Sequence, residues 1–296
     1  MDTDLTLTKK MNFDTLFPDV RETGDTRLKQ CQLVMLRMLK ILDFLCKKND
    51  ISYFLNGGTL LGAIRHKGFI PWDDDLDIGM TRSNYEKFVK YAVPELPYDI
   101  FFQSDETDPH FPACHIIEAK LRDKYSSYGR TIEQKKTWLK WQDGLQIDIA
   151  VFDRAYLPSN VLIAALNRTL TFLFHRKGND ARAKALKWIE RYLPYPKVFA
   201  SSFINGRKMI KQGLYYIRRE EVATLVKADF EDIQSYIPVG WHEYLTRRYG
   251  NYMQPPPLEM QKVRHGVYMP DPFTPSQHSE ILQWKERDQL HLNHNE

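Results

Sequence analysis

The chain has 296 residues, 43% hydrophobic and 27% charged, with a formal net charge of +4: enough to bury one large core or two modest ones, and too close to neutral to carry a global meaning. Cys31, Cys46 and Cys114 are odd in number and share no CxxC spacing, which supports neither a disulfide framework nor a zinc knuckle. No segment resembles a signal peptide and no apolar run reaches the roughly 18 residues of a membrane span, so a cytoplasmic protein is expected.

Residues 1–24 are acidic and polar and are expected to form a loose arm. Leu28, Cys31, Met35, Met38, Leu42 and Leu45 then recur at helical spacing to about Lys48, a core-forming stripe. Strands follow near 53–55, 75–80, 99–103, 114–122 and 145–152, alternating with helices near 59–66 and 84–93, and Ser83-x-x-Glu86 has the form of a capping box for the latter. Beyond Asp153 strand signals fade, and prolines punctuate helical patterns near 159–175, 180–192, 197–213 and 240–249. From Pro270 the tail is polar and is expected to pack weakly. The expected organisation is an N-terminal arm (1–24), a catalytic α+β domain with a mixed sheet flanked by helices (25–154), a mainly helical region completing the site (155–269) and a tail (270–296).

The chemistry is concentrated between Tyr53 and Met80. Gly57 and Gly58 follow the apolar Tyr53-Phe54-Leu55 and precede Thr59, a strand-turn-helix order whose backbone N–H groups suit an anion. Further on, Asp73, Asp74, Asp75 and Asp77 lie among Ile70, Trp72, Leu76, Ile78 and Met80. In an extended strand, Asp73, Asp75 and Asp77 converge while Asp74 points away. Converging carboxylates repel one another unless a cation sits between them, and hard divalent cations prefer oxygen ligands. A third acid, Asp148, interrupts the apolar run Leu145 to Phe152; a charge there requires a metal or an ion-pair partner.

Glycine turn, Asp-x-Asp on one strand and a lone Asp on a later strand is the order of the nucleotidyltransferase fold. The chain resembles the LicD family of phosphocholine transferases, to which the fukutin-related proteins also belong. The resemblance rests on Asn56 to His66, on Phe69 to Ile78 with its Ile-Pro-Trp-Asp-Asp-Asp-Leu-Asp-Ile run, on Asp148 to Asp153, and on Tyr249 to Met253 with Pro255 to Pro257 and His265. Asn251 departs from the family's usual aspartate, and Ala150-Val151 replace its usual Phe-Pro.

The resemblance implies that Asp75, Asp77 and Asp148 are catalytic and hold Mg²⁺ or Mn²⁺. It further implies that phosphocholine moves from CDP-choline to a cell-surface glycan precursor, with another CDP-linked alcohol (ribitol or glycerol) or nucleotidylyl transfer from an NTP as alternatives. Gly57, Gly58 and Thr59 are expected at the phosphates. Arg65 is a phosphate candidate, and His66 and His265 are either substrate contacts or structural hydrogen-bonding residues. Lys120 and Arg122 are divided between phosphate contact and an edge-strand ion pair. From Arg168 to Arg219, 13 Lys/Arg face only Asp180 and Glu190, interleaved with aromatic residues. That stretch is either a solvated face or a patch for a membrane carrying a lipid-linked acceptor, with nucleic acid the weakest of the three readings.

Overall fold

Hydrophobic spacing sets the first long element of the chain, seen in a computed structural model that describes residues 12–104, 106–108, 117–128, 142–155, 198–201, 216–263 and 270–274. After the short helix α1 (Phe13–Leu16), helix α2 runs from Arg27 to Lys48, capped by the Thr26 hydroxyl, which accepts from the Lys29 N–H at 3.2 Å. Its stripe of Cys31, Met35, Met38, Leu42 and Leu45 is fully buried, each such side chain contributing on the order of 1.5–3 kcal/mol.

The chain continues through β1 (Phe54–Leu55), α3 (Gly57–His66), β2 (Leu76–Thr81), α4 (Arg82–Lys87), β3 (Ile100–Gln103), β4 (Ala119–Asp123) and β5 (Gln146–Ala155). Beyond β5 come β6 (Val198–Ser201), β7 (Tyr216–Arg218), β8 (Leu225–Phe230), β9 (Ile233–Pro238) and α5 (Trp241–Tyr249). The main sheet has the order β1-β2-β5-β4-β3. β2 and β5 are parallel and every other pairing in it is antiparallel, including β6 on the second half of β5 and β7 on β6. A mixed sheet flanked by helices is thus the architecture, as the α+β reading expects.

Several expectations need correction. α4 begins at Arg82 because β2 runs straight into it, leaving Thr81 at the cap and Ser83 inside the first turn, so the Ser83–Glu86 capping box does not form. The described residues beyond 155 contain four strands and one helix of nine residues, and β6 falls where a helix near 197–213 is expected. The expected helices near 159–175 and 180–192 lie outside the described residues. The arm is docked from residue 12 onward: Phe13 is buried, and the buried Arg21 forks onto Asp123 at 2.9 and 3.4 Å. The start of the tail is also fixed, since Ser127 and Asp271 exchange two backbone hydrogen bonds of 2.8 Å.

The β8–β9 hairpin braces the loop after α3. At its tip, Glu231 (φ 53°) accepts from the Phe69 N–H at 3.0 Å and from Lys29 Nζ at 2.8 Å. Phe230 and Phe69 pack edge to face with centroids 5.0 Å apart, seating the hairpin against the segment that leads into the aspartates.

Candidate active site

Because β2 and β5 pair in parallel, one level of the sheet carries a polar row of four residues across four strands. Asp77 is opposite Asp148, Asp148 opposite Lys120, and Lys120 opposite Gln103. Lys120 is fully buried and donates to Asp148 Oδ1 at 2.6 Å and to Gln146 Oε1 at 2.9 Å. Of the two readings of Lys120, the ion pair is the one formed, but on an inner strand and with Asp148 as partner rather than at a sheet edge. Arg122 is directed into the fold, with Nε donating to Gln103 Oε1 and Nη1 to the Gly144 carbonyl, both at 2.7 Å.

The glycine turn sits directly over the acids. Gly57 adopts φ 55°, and a Cβ there would lie 2.7 Å from Asp77 Oδ2; a Cβ at Gly58 would lie 3.1 Å from Asp73 Oδ2. The two glycines therefore clear space for carboxylates as well as exposing the start of α3. Thr59 turns its hydroxyl back to accept from the Asp77 N–H at 2.8 Å, and the Asn56 N–H donates to the Asp77 carbonyl at 3.0 Å. α3 and β2 are thereby joined at the acid itself.

Asp73, Asp74 and Asp75 each offer a carboxylate oxygen within 4.8 Å of the others. This corrects the expectation that Asp74 points away from the cluster. β2 starts only at Leu76, so the alternation of a strand does not extend back to Asp73 and Asp74, which lie in the irregular stretch between the turn at 71–72 and the strand. Asp74 is fully buried and accepts from the Tyr128 hydroxyl at 3.1 Å, while Gln32 of α2 donates to the Asp73 carbonyl at 3.0 Å.

Burial pushes the Asp77 carboxyl well above the ordinary carboxylate range, and the Asp75 and Asp148 carboxylates push it further, against the pull of Arg248 and Lys120. An oxygen-only set whose members oppose one another's ionisation suits a hard divalent cation, with Asp75, Asp77 and Asp148 available to hold it. On the rim, Arg65 donates from Nη1 to the Tyr252 carbonyl at 2.8 Å and from Nε to His66 Nδ1 at 3.4 Å. Burial, with the neighbouring Arg65 charge, lowers the His66 pKa, and its ring meets Trp72 edge to face at 6.1 Å. His265 lies outside the described residues.

Sequence reasoning missed Arg248. Its Nη2 lies 3.8 Å from the point where a Gly57 Cβ would stand, beside Asp77. Trp241, Tyr244, Leu245 and Arg248 share one face of α5, and a cation on an otherwise apolar stripe was the available signal.

Comparison with known proteins bears on the family. The family described as "LicD/FKTN/FKRP, nucleotidyltransferase domain" matches residues 50–116. The "Lipopolysaccharide cholinephosphotransferase LicD" of Haemophilus influenzae is 32% identical over 259 residues, covering 80% of this chain and 96% of the relative. The chain belongs to the LicD family. Like that family member it is a phosphotransferase enzyme. A shorter similarity, 57% over 30 residues, links 10% of the chain to 6% of the human "Ribitol 5-phosphate transferase FKRP", and an uncharacterised Rickettsia prowazekii protein is 52% identical over 63 residues, 21% of this chain and 23% of its own. No helix among the described residues of this LicD-family chain is long and apolar enough to cross a membrane.

Proposed function

We propose that this LicD-family enzyme moves phosphocholine from CDP-choline to a hydroxyl of a cell-surface glycan precursor such as lipopolysaccharide, using Mg²⁺ or Mn²⁺ held by Asp75, Asp77 and Asp148. Kinship over most of the chain with the Haemophilus cholinephosphotransferase supports the reaction class. The observation that carries the reading is the placement of Asp77 beside Asp148 on paired parallel strands, with Gly57 and Gly58 against the carboxylates.

In the proposed reaction the acceptor oxygen forms a bond to the phosphorus bearing choline. The bond from that phosphorus to the bridging oxygen breaks, CMP leaves with the bridging oxygen, and the acceptor proton passes to a base. A bound divalent ion would neutralise phosphate charge. In this reading Asp148 takes the proton, and its 2.6 Å ion pair with Lys120 fixes its carboxylate. The N–H groups at the start of α3 face the phosphates, and the Thr59 hydroxyl keeps Asp77 in register with them.

The catalytic site works at the cytoplasmic side, and the basic stretch 168–219, most of which lies outside the described residues, docks on the membrane bearing the acceptor; co-sedimentation with anionic vesicles tests this second point. The similarity to the ribitol 5-phosphate transferase favours CDP-ribitol as the next donor to try. Purified protein is incubated with Mg²⁺ and a panel of CDP-choline, CDP-ribitol, CDP-glycerol and CTP. CMP release with CDP-choline alone supports the reading; pyrophosphate release from CTP replaces it with nucleotidylyl transfer.

A further inference from the structure

The last turn of α5 brings a guanidinium to the acid site from a part of the chain about one hundred residues beyond Asp148. Two consecutive arginines divide the work. Arg247 turns outward from the site and forks onto the buried Glu221 with two contacts of 2.6 Å, its guanidinium 4.5 Å from the centre of the Tyr216 ring. That fork fixes α5 to the segment before β8. Arg248 turns the other way, and its orientation is set by two tyrosine hydroxyls: Nη1 donates to Tyr244 at 3.3 Å and Nε to Tyr249 at 3.0 Å. The Tyr244 hydroxyl in turn donates to Asn56 Oδ1 at 2.7 Å, tying the helix to the residue just before the glycine turn.

At Gly57, an anion and a cation converge on one point. The position that a side chain would occupy lies 2.7 Å from Asp77 Oδ2 and 3.8 Å from Arg248 Nη2. A phosphate drawn to the start of α3 would meet the carboxylate edge, where an ion can bridge, on one side and a planar guanidinium on the other. Guanidinium matches phosphate oxygens in geometry and stays charged when half-buried.

We propose that Arg248 is a substrate-contacting residue that binds the diphosphate of a nucleoside-diphosphate-linked donor opposite the carboxylates and takes up the charge that builds on the departing nucleotide. This deepens the proposed function and rests on it.

The test is calorimetric titration of wild type, R248K and R248M, as full-length chains in Mg²⁺, with CDP, inorganic pyrophosphate and cytidine, after thermal melts of each protein. R248M is expected to weaken CDP and pyrophosphate on the order of tenfold or more, the loss of a charge-assisted hydrogen bond. Cytidine binding stays unchanged, and R248K recovers part of the loss. Equal CDP affinity in wild type and R248M, or an equal loss for cytidine, overturns the inference, as does a wild-type protein that binds neither CDP nor pyrophosphate. If R248M melts early, R248K decides: a CDP affinity equal to wild type in R248K overturns a role for the guanidinium fork. Selective loss of CDP in a protein that turns over no CDP-alcohol leaves the arginine assignment standing and refutes the transfer reaction instead.

Discussion

Replacing Gly57 with alanine separates the cost of a backbone conformation from the cost of moving a carboxylate. At φ 55° an alanine costs about 1–2 kcal/mol in the left-handed region, partly offset by about 0.4–1 kcal/mol from a stiffer unfolded chain. Net destabilisation of about 1 kcal/mol should move the urea midpoint down by roughly 0.3–1 M. The larger effect is functional. The new methyl would stand 2.7 Å from Asp77 Oδ2, closer than a carbon and an oxygen can approach, so the carboxylate must shift. A misplacement of about 1 Å at a reacting centre costs about 100-fold in rate. Gly58→Ala is the control, because that residue has an ordinary φ and its Cβ would lie 3.1 Å from Asp73 Oδ2, a contact that yields with a small adjustment. It should be neutral or stabilising by about 0.5–1 kcal/mol, as alanine in a helix is over glycine. In an Asp77→Ala background, Gly57→Ala should keep only its backbone cost. CMP release and urea unfolding across wild type and these four variants decide the matter. Wild-type turnover in Gly57→Ala, or greater damage from Gly58→Ala, would refute the argument.

Three further outcomes are expected. Asp77→Asn should abolish transfer yet melt higher than wild type in chelator at neutral pH. Because the folded-state pKa of Asp77 is raised, wild type is favoured while the acid is protonated and loses stability as pH rises through that pKa, a loss that Asp77→Asn escapes. Melting curves at pH 5 and pH 8 that run in parallel for the two proteins would count against the repulsion between Asp75, Asp77 and Asp148. Lys120→Met leaves Asp148 without its cation and should cost about 3–5 kcal/mol in chelator, measured by urea unfolding; a change under about 1 kcal/mol would show that Lys120 does not hold the acid. Arg21→Ala should destabilise by a similar amount, about 3–5 kcal/mol, by stranding the buried Asp123, and an unchanged urea midpoint would return the arm to a loose one.

The elements with strong period and punctuation were legible. α2 follows its stripe to the residue, and β1, α3, β2 and β5 lie where alternation and the glycine pair put them. The hairpin of β8 and β9 was hidden because its two-residue turn is Glu231-Asp232, with Glu231 in the left-handed region, rather than the Asn-Gly or Asp-Gly that marks such turns. The position of Asp74 was misread because strand alternation was extended back past Leu76 into irregular chain. The pairing of Lys120 with Asp148 depends on which strand neighbours which, and no local pattern encodes that adjacency. Arg248 was overlooked for a related reason, since its value lies in where α5 docks, which Glu221 and Arg247 decide.

The order in which these parts are synthesised follows from their places along the chain. Asp75, Asp77 and Asp148 leave the ribosome before Arg248, and at about 5–20 residues per second the gap of roughly one hundred residues lasts about 5–20 s. In that interval the nascent carboxylates have Lys120 as neighbour but not the arginine of α5, and β1 lacks the hairpin that later covers it. On the proposed metal site, a ribosome stalled within this window would hold the acid cluster without its second cationic wall, so the capacity to bind a divalent ion should arise in the growing polypeptide before the capacity to bind nucleotide.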